Sequence, residues 1–449
     1  MEHSNKQTRR EFLTKSAIGV VGMAVTANWL SSCSRGSKAE LDLPPMLSEA
    51  PDGEPLKAGL IGCGGRGTGA AINFLSAGPN LRLTAMADVF EDRMASSRAR
   101  IKKQTGEEVP DDQCFIGLEA YKKLIDSDVD IVLLATPPYF RPLHFAAAVD
   151  AHKHVFMEKP VAVDPVGVRS IISTAKRADD LGLSVMTGTQ RHHQDSYIEA
   201  YKRIRGGEIG DIVSANSYYN IGQLWYRERQ SGWSDMEFMI RDWVNWCWLS
   251  GDHIVEQFIH NLDGINWFLG GKFPQRAVAF GSRQRRVTGD QYDNFSVDYT
   301  YEGNVHVNSM CRQINGCTNE VSDLIRGTKG YSDCKTYISN PAGEEIWTYK
   351  KPEDSEGKST VNSPYVQEHI HLVTSIRRNE PVNAAEFTAK STMTAIMGRI
   401  SAYTGQAVTW DEMMKSNLQL GPEGGPESVT SLGSSKLVNN KVPVPGSAE

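Results

Sequence analysis

The stretch LKAGLIGCGGRGTGAA, residues 56–71, passes from a short apolar run into glycines spaced G-x-G-x-x-G. The run reads as a buried strand. Gly62 permits a tight turn, Gly64 lets the backbone approach a pyrophosphate, and Gly67 lets the next helix pack closely on the strand. That helix, read from about Ala70 to Leu75, presents free N–H groups to the phosphates. A second apolar run, LRLTAMAD, ends in Asp88. A carboxylate there accepts hydrogen bonds from ribose hydroxyls and repels a 2′-phosphate, so NAD is expected over NADP. Arg93 is the nearby feature that pulls the other way.

The alternation continues. Residues 91–105, 118–126, 141–152 and 164–181 carry helical patterns, and VDIVLLATPP, HVFMEKP and LSVMTGTQ read as further parallel strands. Strand and helix repeated in this way predict an α/β fold with a doubly wound parallel sheet. Ligands lie at the carboxyl ends of such strands. Gly62, Gly64, Gly65, Arg66, Gly67 and Asp88, with Thr136, Pro137, His144, Glu158, Lys159 and Gln190 from the later strand ends, are therefore the expected cofactor contacts. Lys159 has two readings. It exchanges a proton with a hydroxyl beside the cofactor, or it is a surface lysine paired with Glu158.

In SGDHIVEQFIHNLDGINWFLG, residues 250–270, Asp252, Glu256, His260 and Asp263 fall on one face of a helix. A histidine flanked by carboxylates suits acid–base work. A plain polar stripe is the alternative. His253, Glu256 and His260 do not match a strong metal motif, and no metal is expected. Trp225, Trp233, Trp243, Trp246 and Trp248 suit a core or a sugar ring; Trp243 is the one we assign to a ligand.

The whole chain of 449 residues suits two domains, and 40% hydrophobic with 23% charged residues suits a full core. A net charge of −6 argues against a nucleic-acid partner. Seven cysteines contain no C-x-x-C. Cys311 and Cys317 are spaced to pair, but buried free thiols are the preferred reading. Residues 8–33, TRREFLTKSAIGVVGMAVTANWLSSC, run from charged to apolar to small, the order of a processing segment. Arg9 and Arg10 resemble a twin-arginine export signal, and LSSC resembles a lipobox that would lipidate Cys33. The expected organisation is a signal over 1–33, a linker over 34–54, a dinucleotide-binding domain over 55–182, a substrate and oligomerisation domain over 183–415, and a tail over 416–449. Residues 211–220, 275–283, 292–301 and 304–314 have the composition of antiparallel strands. Residues 365–405 look helical. The last stretch, SSKLVNNKVPVPGSAE, reads as loose surface chain. The open sheet predicts a homo-oligomer.

Taken together, GLIGCGGRG, ATPPYFRPLH, EKP and the later E-x-x-x-H at Glu256 and His260 resemble the Gfo/Idh/MocA oxidoreductase family over roughly residues 55–405. The resemblance implies an N-terminal Rossmann domain and a C-terminal α/β domain with an open, mostly antiparallel sheet. It implies that Lys159 is the catalytic lysine and His260 the catalytic histidine. Glu256 stands where the family pattern has Asp. The resemblance also brings Arg191, His192 and His193 near the substrate, where Asp263 of the 250–270 stretch and Trp243 are assigned as well. A branch with the same fold, glycoside hydrolase family 109, is exported and cleaves glycosides by oxidising a sugar hydroxyl, eliminating the aglycone, adding water and reducing the ketone again. That branch usually lacks the lysine that this chain has as Lys159.

An exported protein meets little free NAD. The cofactor must then stay bound and be recycled, loaded before a twin-arginine route carries the folded protein out. Three functions follow. The first is a sugar, glycoside or polyol oxidoreductase with retained NAD. The second is an NAD-dependent glycoside hydrolase or lyase. The third is a catalytically idle sugar-binding lipoprotein. The expected partner is a small carbohydrate, and membrane contact is through the N-terminal lipid alone. The location is periplasmic or membrane-anchored.

Overall fold

In the computed structural model the glycine turn leads into a helix, Gly65–Leu75, that starts earlier than the sequence pattern suggests. Packing explains the difference. A Cβ on Gly67 would lie 1.9 Å from the Gly62 carbonyl oxygen, so helix and strand touch where the glycines have no side chain. The structure describes residues 43–446. The segment 1–33, including Cys33, lies outside them.

Six parallel strands form the first sheet: β1 (Leu56–Ile61), β2 (Leu81–Asp88), β3 (Cys114–Ile116), β4 (Ile131–Leu134), β5 (His154–Met157) and β6 (Val185–Thr187). Their order is β3-β2-β1-β4-β5-β6, the doubly wound Rossmann arrangement. Five of these strands are apolar enough to be legible. β3 is a three-residue edge strand with no buried residue, too short to show a period.

Nine strands form the second sheet: β7 (Ile212–Ile221), β8 (Arg276–Ser282), β9 (Asn294–Tyr301), β10 (Val305–Gln313), β11 (Glu320–Gly327), β12 (Tyr331–Ser332), β13 (Tyr337–Ser339), β14 (Glu345–Thr348) and β15 (Val408–Thr409). All pairings are antiparallel except β7 with β10. Alternate residues of β9 are buried, the period of a sheet covered on one face. The other face carries Phe280, opposite Ser296, which is in turn opposite Met310. Phe280 and Met310 are exposed.

Three expectations change. Residues 43–54 are not a free linker: Ala50 is buried, its N–H donates to the Ala77 carbonyl at 2.7 Å, and Arg377 donates to the Pro51 carbonyl. The tail is not loose. Leu420 N–H donates to Asp164 at 2.9 Å, Met236 N–H to the Gly433 carbonyl at 3.0 Å, and Tyr292 Oη to the Pro443 carbonyl at 2.8 Å. Val429 joins an apolar cluster with Phe90, Phe140, Met239 and Trp246. Its apolar side chains find partners that lie hundreds of residues away. Finally, helix Pro364–Arg378 inserts Ile370, Leu372 and Val373 beside Ala58, Leu60 and Phe74, so the C-terminal part of the chain completes the core of the first sheet.

His369 of that helix is fully buried against Phe156, ring centroids 4.2 Å apart, with neither ring nitrogen hydrogen-bonded. Burial, then the Arg66 charge, holds its pKa well below the usual value. The unfolded imidazole takes a proton as pH falls through about 6.5 while the folded one does not, so this site costs stability on the acid side. His369→Leu is expected to raise stability by roughly 1–3 kcal/mol. Thermal melts should show the larger gain at acid pH. A lower melting temperature at every pH would refute the reading.

Candidate functional site

The first turn is shaped for a phosphate group. Gly62 has φ +98°, and a Cβ there would meet the Ala135 carbonyl carbon at 2.7 Å. Gly64 and Gly65, by contrast, face open space, with nothing within 4 Å of a Cβ. The helix N-terminus behind them carries no acidic residue in its first turn. Unblocked N–H groups and bare backbone fit a pyrophosphate.

A crevice of about 430 Å³ runs from this turn. Gly62, Gly64, Gly65, Arg66, Gly67, Asp88, Thr136, Pro137 and His144 line it. Asp88 accepts N–H bonds from Cys63 at 2.6 Å and Phe90 at 2.8 Å, which fixes the carboxylate at the end of β2. Burial raises its pKa, and the two N–H groups and Arg93 pull it back. His144 is buried, 3.3 Å from Thr136 Oγ1 and stacked on Phe140. Burial pushes it down to about 3, so it is a neutral wall.

Beyond the turn stands a cluster of charges. Lys159 Nζ donates to the Glu256 carbonyl at 2.5 Å and to Glu256 Oε1 at 3.1 Å. The pairing of Lys159 with Glu158 is therefore corrected. Glu158 accepts from Arg66 Nε instead. Arg66 Nη2 also lies 3.4 Å from Glu368 Oε1, and its guanidinium sits 4.9 Å over the Tyr365 ring. Glu368 is fully buried, and burial followed by the Glu158 charge pushes its pKa well up. A carboxyl kept protonated there leaves Glu158 to pair with Arg66. His260 belongs to the same cluster. Burial first, then the positive charges of Lys159, Arg191 and Arg66, hold its pKa far below the usual value. His260 is thus a neutral imidazole beside an ammonium, able to accept a proton.

The shared helical face does not exist. The segment breaks into two short helices, His253–Glu256 and Ile259–Phe268. Asp252 precedes the first with φ +74°. It is fully buried and accepts from Tyr292 N–H at 3.1 Å and from Tyr403 Oη, whereas Lys159 binds Glu256. The break turns the Glu256 carbonyl to Lys159 and starts a new helix near His260. His253 is also buried, against Phe295. Among the described residues, no three His, Cys, Asp or Glu side chains gather to hold a metal ion.

The residues assigned to substrate divide. His192 Nε2 lies 2.6 Å from Asp263 Oδ2, one turn along the helix from His260, and its ring stacks on Trp267 at 4.3 Å. Arg191 and His193 are structural instead. Arg191 donates to Asp323 at 2.8 Å and to Asn261 at 2.7 Å, which ties the strand-end turn to the second sheet. His193 Nδ1 lies 2.7 Å from His371 Nδ1, and both are buried. Trp243 lines the crevice with Asp88 and Thr136, not the Lys159 cluster. Gln190 opens the short turn that carries Arg191 and His192, and its Oε1 is buried without a partner. Cys311 and Cys317 are both free, the first buried and the second exposed.

Four residues were not singled out from the sequence: Arg141, Tyr219, Tyr365 and Glu368. Arg141 is buried and donates to the Thr136 carbonyl at 2.9 Å and to the Pro160 carbonyl, so it holds two strand-end turns together. Tyr219, on β7, lies within charge reach of both Arg191 and Glu256. A hint existed only for Arg141, inside the TPPYFRPLH motif. The others come from strands or helices far along the chain.

A parallel sheet with a bare glycine turn, and an ammonium, a neutral imidazole and paired carboxylates at its carboxyl end, defines a dinucleotide-binding protein equipped for proton transfer. Comparison with known proteins agrees. The model of the oxidoreductase family with an NAD-binding Rossmann fold, GFO_IDH_MocA, matches residues 56–187, and the GFO/IDH/MocA C-terminal domain matches 197–332. The chain belongs to the GFO/IDH/MocA oxidoreductase family, and its first domain is an NAD-binding domain. It is 25% identical over 224 residues to 2,7-anhydro-N-acetylneuraminate hydratase of Escherichia coli, covering 50% of this chain and 52% of that one. It is 24% identical over 250 residues to a glycosyl hydrolase family 109 protein of Solibacter usitatus, covering 53% and 52%. The chain thus spans about half the length of these curated relatives. The scyllo-inositol dehydrogenase of Lactobacillus casei, solved with NAD(H) and scyllo-inositol, shares the fold with a TM-score of 0.58. It is 22% identical, and the match covers 79% of this chain and 99% of that one.

Proposed function

We propose that the protein is an NAD-dependent oxidoreductase acting on a hydroxyl of a sugar, glycoside or polyol, with its NAD retained and recycled. The observation that carries this is the double hold of Glu256 on Lys159 at the end of β5, in the strand-end cluster that also includes His260. Bound NAD supplies a reversible hydride acceptor. His260 takes the hydroxyl proton, and the Lys159 ammonium stabilises the oxygen as charge develops on it. Glu256 holds Lys159 at two points and so orients it. His192, set by Asp263, is the group we assign to contact the substrate. Gln190, on the same turn as His192, stays assigned to the cofactor.

The hydratase and the family 109 protein among the relatives favour a second reading. In that reading, oxidation acidifies a neighbouring C–H, a base removes that proton as the leaving group departs, and the hydride is returned to the ketone; water added to the alkene before that return gives net hydrolysis, and without it the result is net elimination. A chromogenic glycoside incubated with the purified protein and no added cofactor separates the two. Release of the chromophore supports the second reading; silence with that glycoside, together with exchange of hydride between two added sugars, supports the first. In both cases denaturation should free about one NAD per chain. Protein that emerges empty, with weak affinity for added NAD, sinks retention.

We further propose export through Arg9 and Arg10 with lipid attachment at Cys33, to be checked by cell fractionation: recovery of the full-length protein in the cytoplasm refutes it. The exposed Phe280–Met310 row supports a homo-oligomer, to be checked by light scattering, where a monomer refutes it.

A further inference from the structure

Part of the crevice wall comes from the second domain. After β7 the chain runs back over the first domain, and Trp225, Arg227 and Trp243 line the crevice together with the glycine turn and Asp88. Trp225 and Trp243 meet edge to face, ring centroids 6.2 Å apart, and the Arg227 guanidinium stands 5.5 Å over Trp225. Arg227 is itself set by two bonds, its N–H to Asp242 at 2.7 Å and its Nε to the Arg241 carbonyl at 3.1 Å.

This strap is fastened at both faces. Toward the first domain, Arg241 Nη1 donates to both Asp92 oxygens at 3.1 Å, its Nε donates to Glu237 at 2.8 Å, and its guanidinium lies 3.8 Å over the Phe90 ring. Phe90 and Asp92 lie two and four residues after Asp88, just past the point where β2 delivers the carboxylate assigned to the ribose. On the outside, the C-terminal tail pins the strap through Gly433 to Met236 and Ser435 to Asp235. Next to the crevice an adjoining chamber of about 350 Å³ sets Arg93, Arg100, Arg227 and Arg241 around Gly64 and Gly65. Flat indoles and guanidinium groups suit an adenine ring and its flanking phosphates.

We infer that the strap from Trp225 to Arg241 encloses the adenosine half of NAD, with Arg241 on Asp92 as its latch. The inference rests on the retained-NAD reading and supplies its physical means: release requires the strap to lift. Exchange of bound NAD against excess labelled NAD measures this on the full protein. Arg241→Ala, which removes both the bidentate pair and the ring contact, is expected to speed exchange about tenfold. Asp92→Asn removes only an ion pair whose carboxylate is largely exposed, so about threefold is expected. Asp92 is a surface residue, and this variant tests the latch even if Arg241→Ala folds poorly.

Added ADP-ribose should bind more weakly to both variants, while nicotinamide mononucleotide, which lacks adenosine, should keep its wild-type affinity. An unchanged exchange rate overturns the inference, and so does an equal loss for both ligands. Wild-type protein that elutes without NAD would refute retention alone. The strap is then judged by the ADP-ribose affinities of variants against wild type.

Discussion

Lys159→Ala is expected to lower turnover by about two to four orders of magnitude while the purified protein keeps its NAD. The first half follows from position. Lys159 stands at the end of β5, tied to Glu256 at two atoms and close enough to depress the pKa of His260. Removing the ammonium takes away the group that stabilises a developing alkoxide and leaves Glu256 without its partner. The second half follows from separation. Lys159 is absent from the walls of the crevice formed by Gly62–Gly67, Asp88 and Thr136, so adenosine and pyrophosphate binding should survive. His260→Ala should lower turnover by a similar factor. Lys159→Arg should recover little, because the longer, planar guanidinium keeps the charge but cannot sit where the compact ammonium donates to the Glu256 carbonyl and carboxylate. Steady-state kinetics with NAD content measured on the same sample decides it. Full activity in both alanine variants would mean that the chemistry lies elsewhere.

Gly64→Ala and Gly67→Ala should fail in different ways. At Gly67 a Cβ would sit 1.9 Å from the Gly62 carbonyl oxygen, a contact that only a backbone shift can relieve. A loss of roughly 1–3 kcal/mol of stability is expected, together with the loss of bound NAD. At Gly64 the backbone has φ −71°, which alanine adopts freely, and the new Cβ meets no protein atom within 4 Å. The melting temperature should hold, yet the methyl group would enter the space through which a pyrophosphate approaches, and NAD should again be lost. Differential scanning calorimetry with cofactor assay separates the cases. Gly64→Ala protein that retains its NAD would show that the phosphates do not lie against this turn.

These two sets of variants also mark the limit of what could be read along the chain. The first domain was legible because its signals are local. Glycine spacing, apolar runs and helical periods each extend over a few residues, and backbone sterics makes them specific. Asp88 and the strand-end motifs around Thr136 and Lys159 came with it, since a parallel sheet brings its strand ends to one edge.

The polar connections in the site are long-range. Lys159 finds Glu256 across 97 positions, and Arg66 finds Glu368 across 302. Spacing carries no information at that range. It misassigned Asp252 because it assumed an unbroken helix where the chain kinks to bury that carboxylate against Tyr292 and Tyr403. The family resemblance offered Arg191 and His193 to a substrate, and along the chain nothing showed the Asp323 and His371 that pair with them. The local pattern thus specified a dinucleotide fold and its phosphate turn. Packing of the second sheet, the helix at 364–378 and the tail onto that fold decided which charged side chains meet. Buried polar groups must find partners, and those partners are chosen by contact in space.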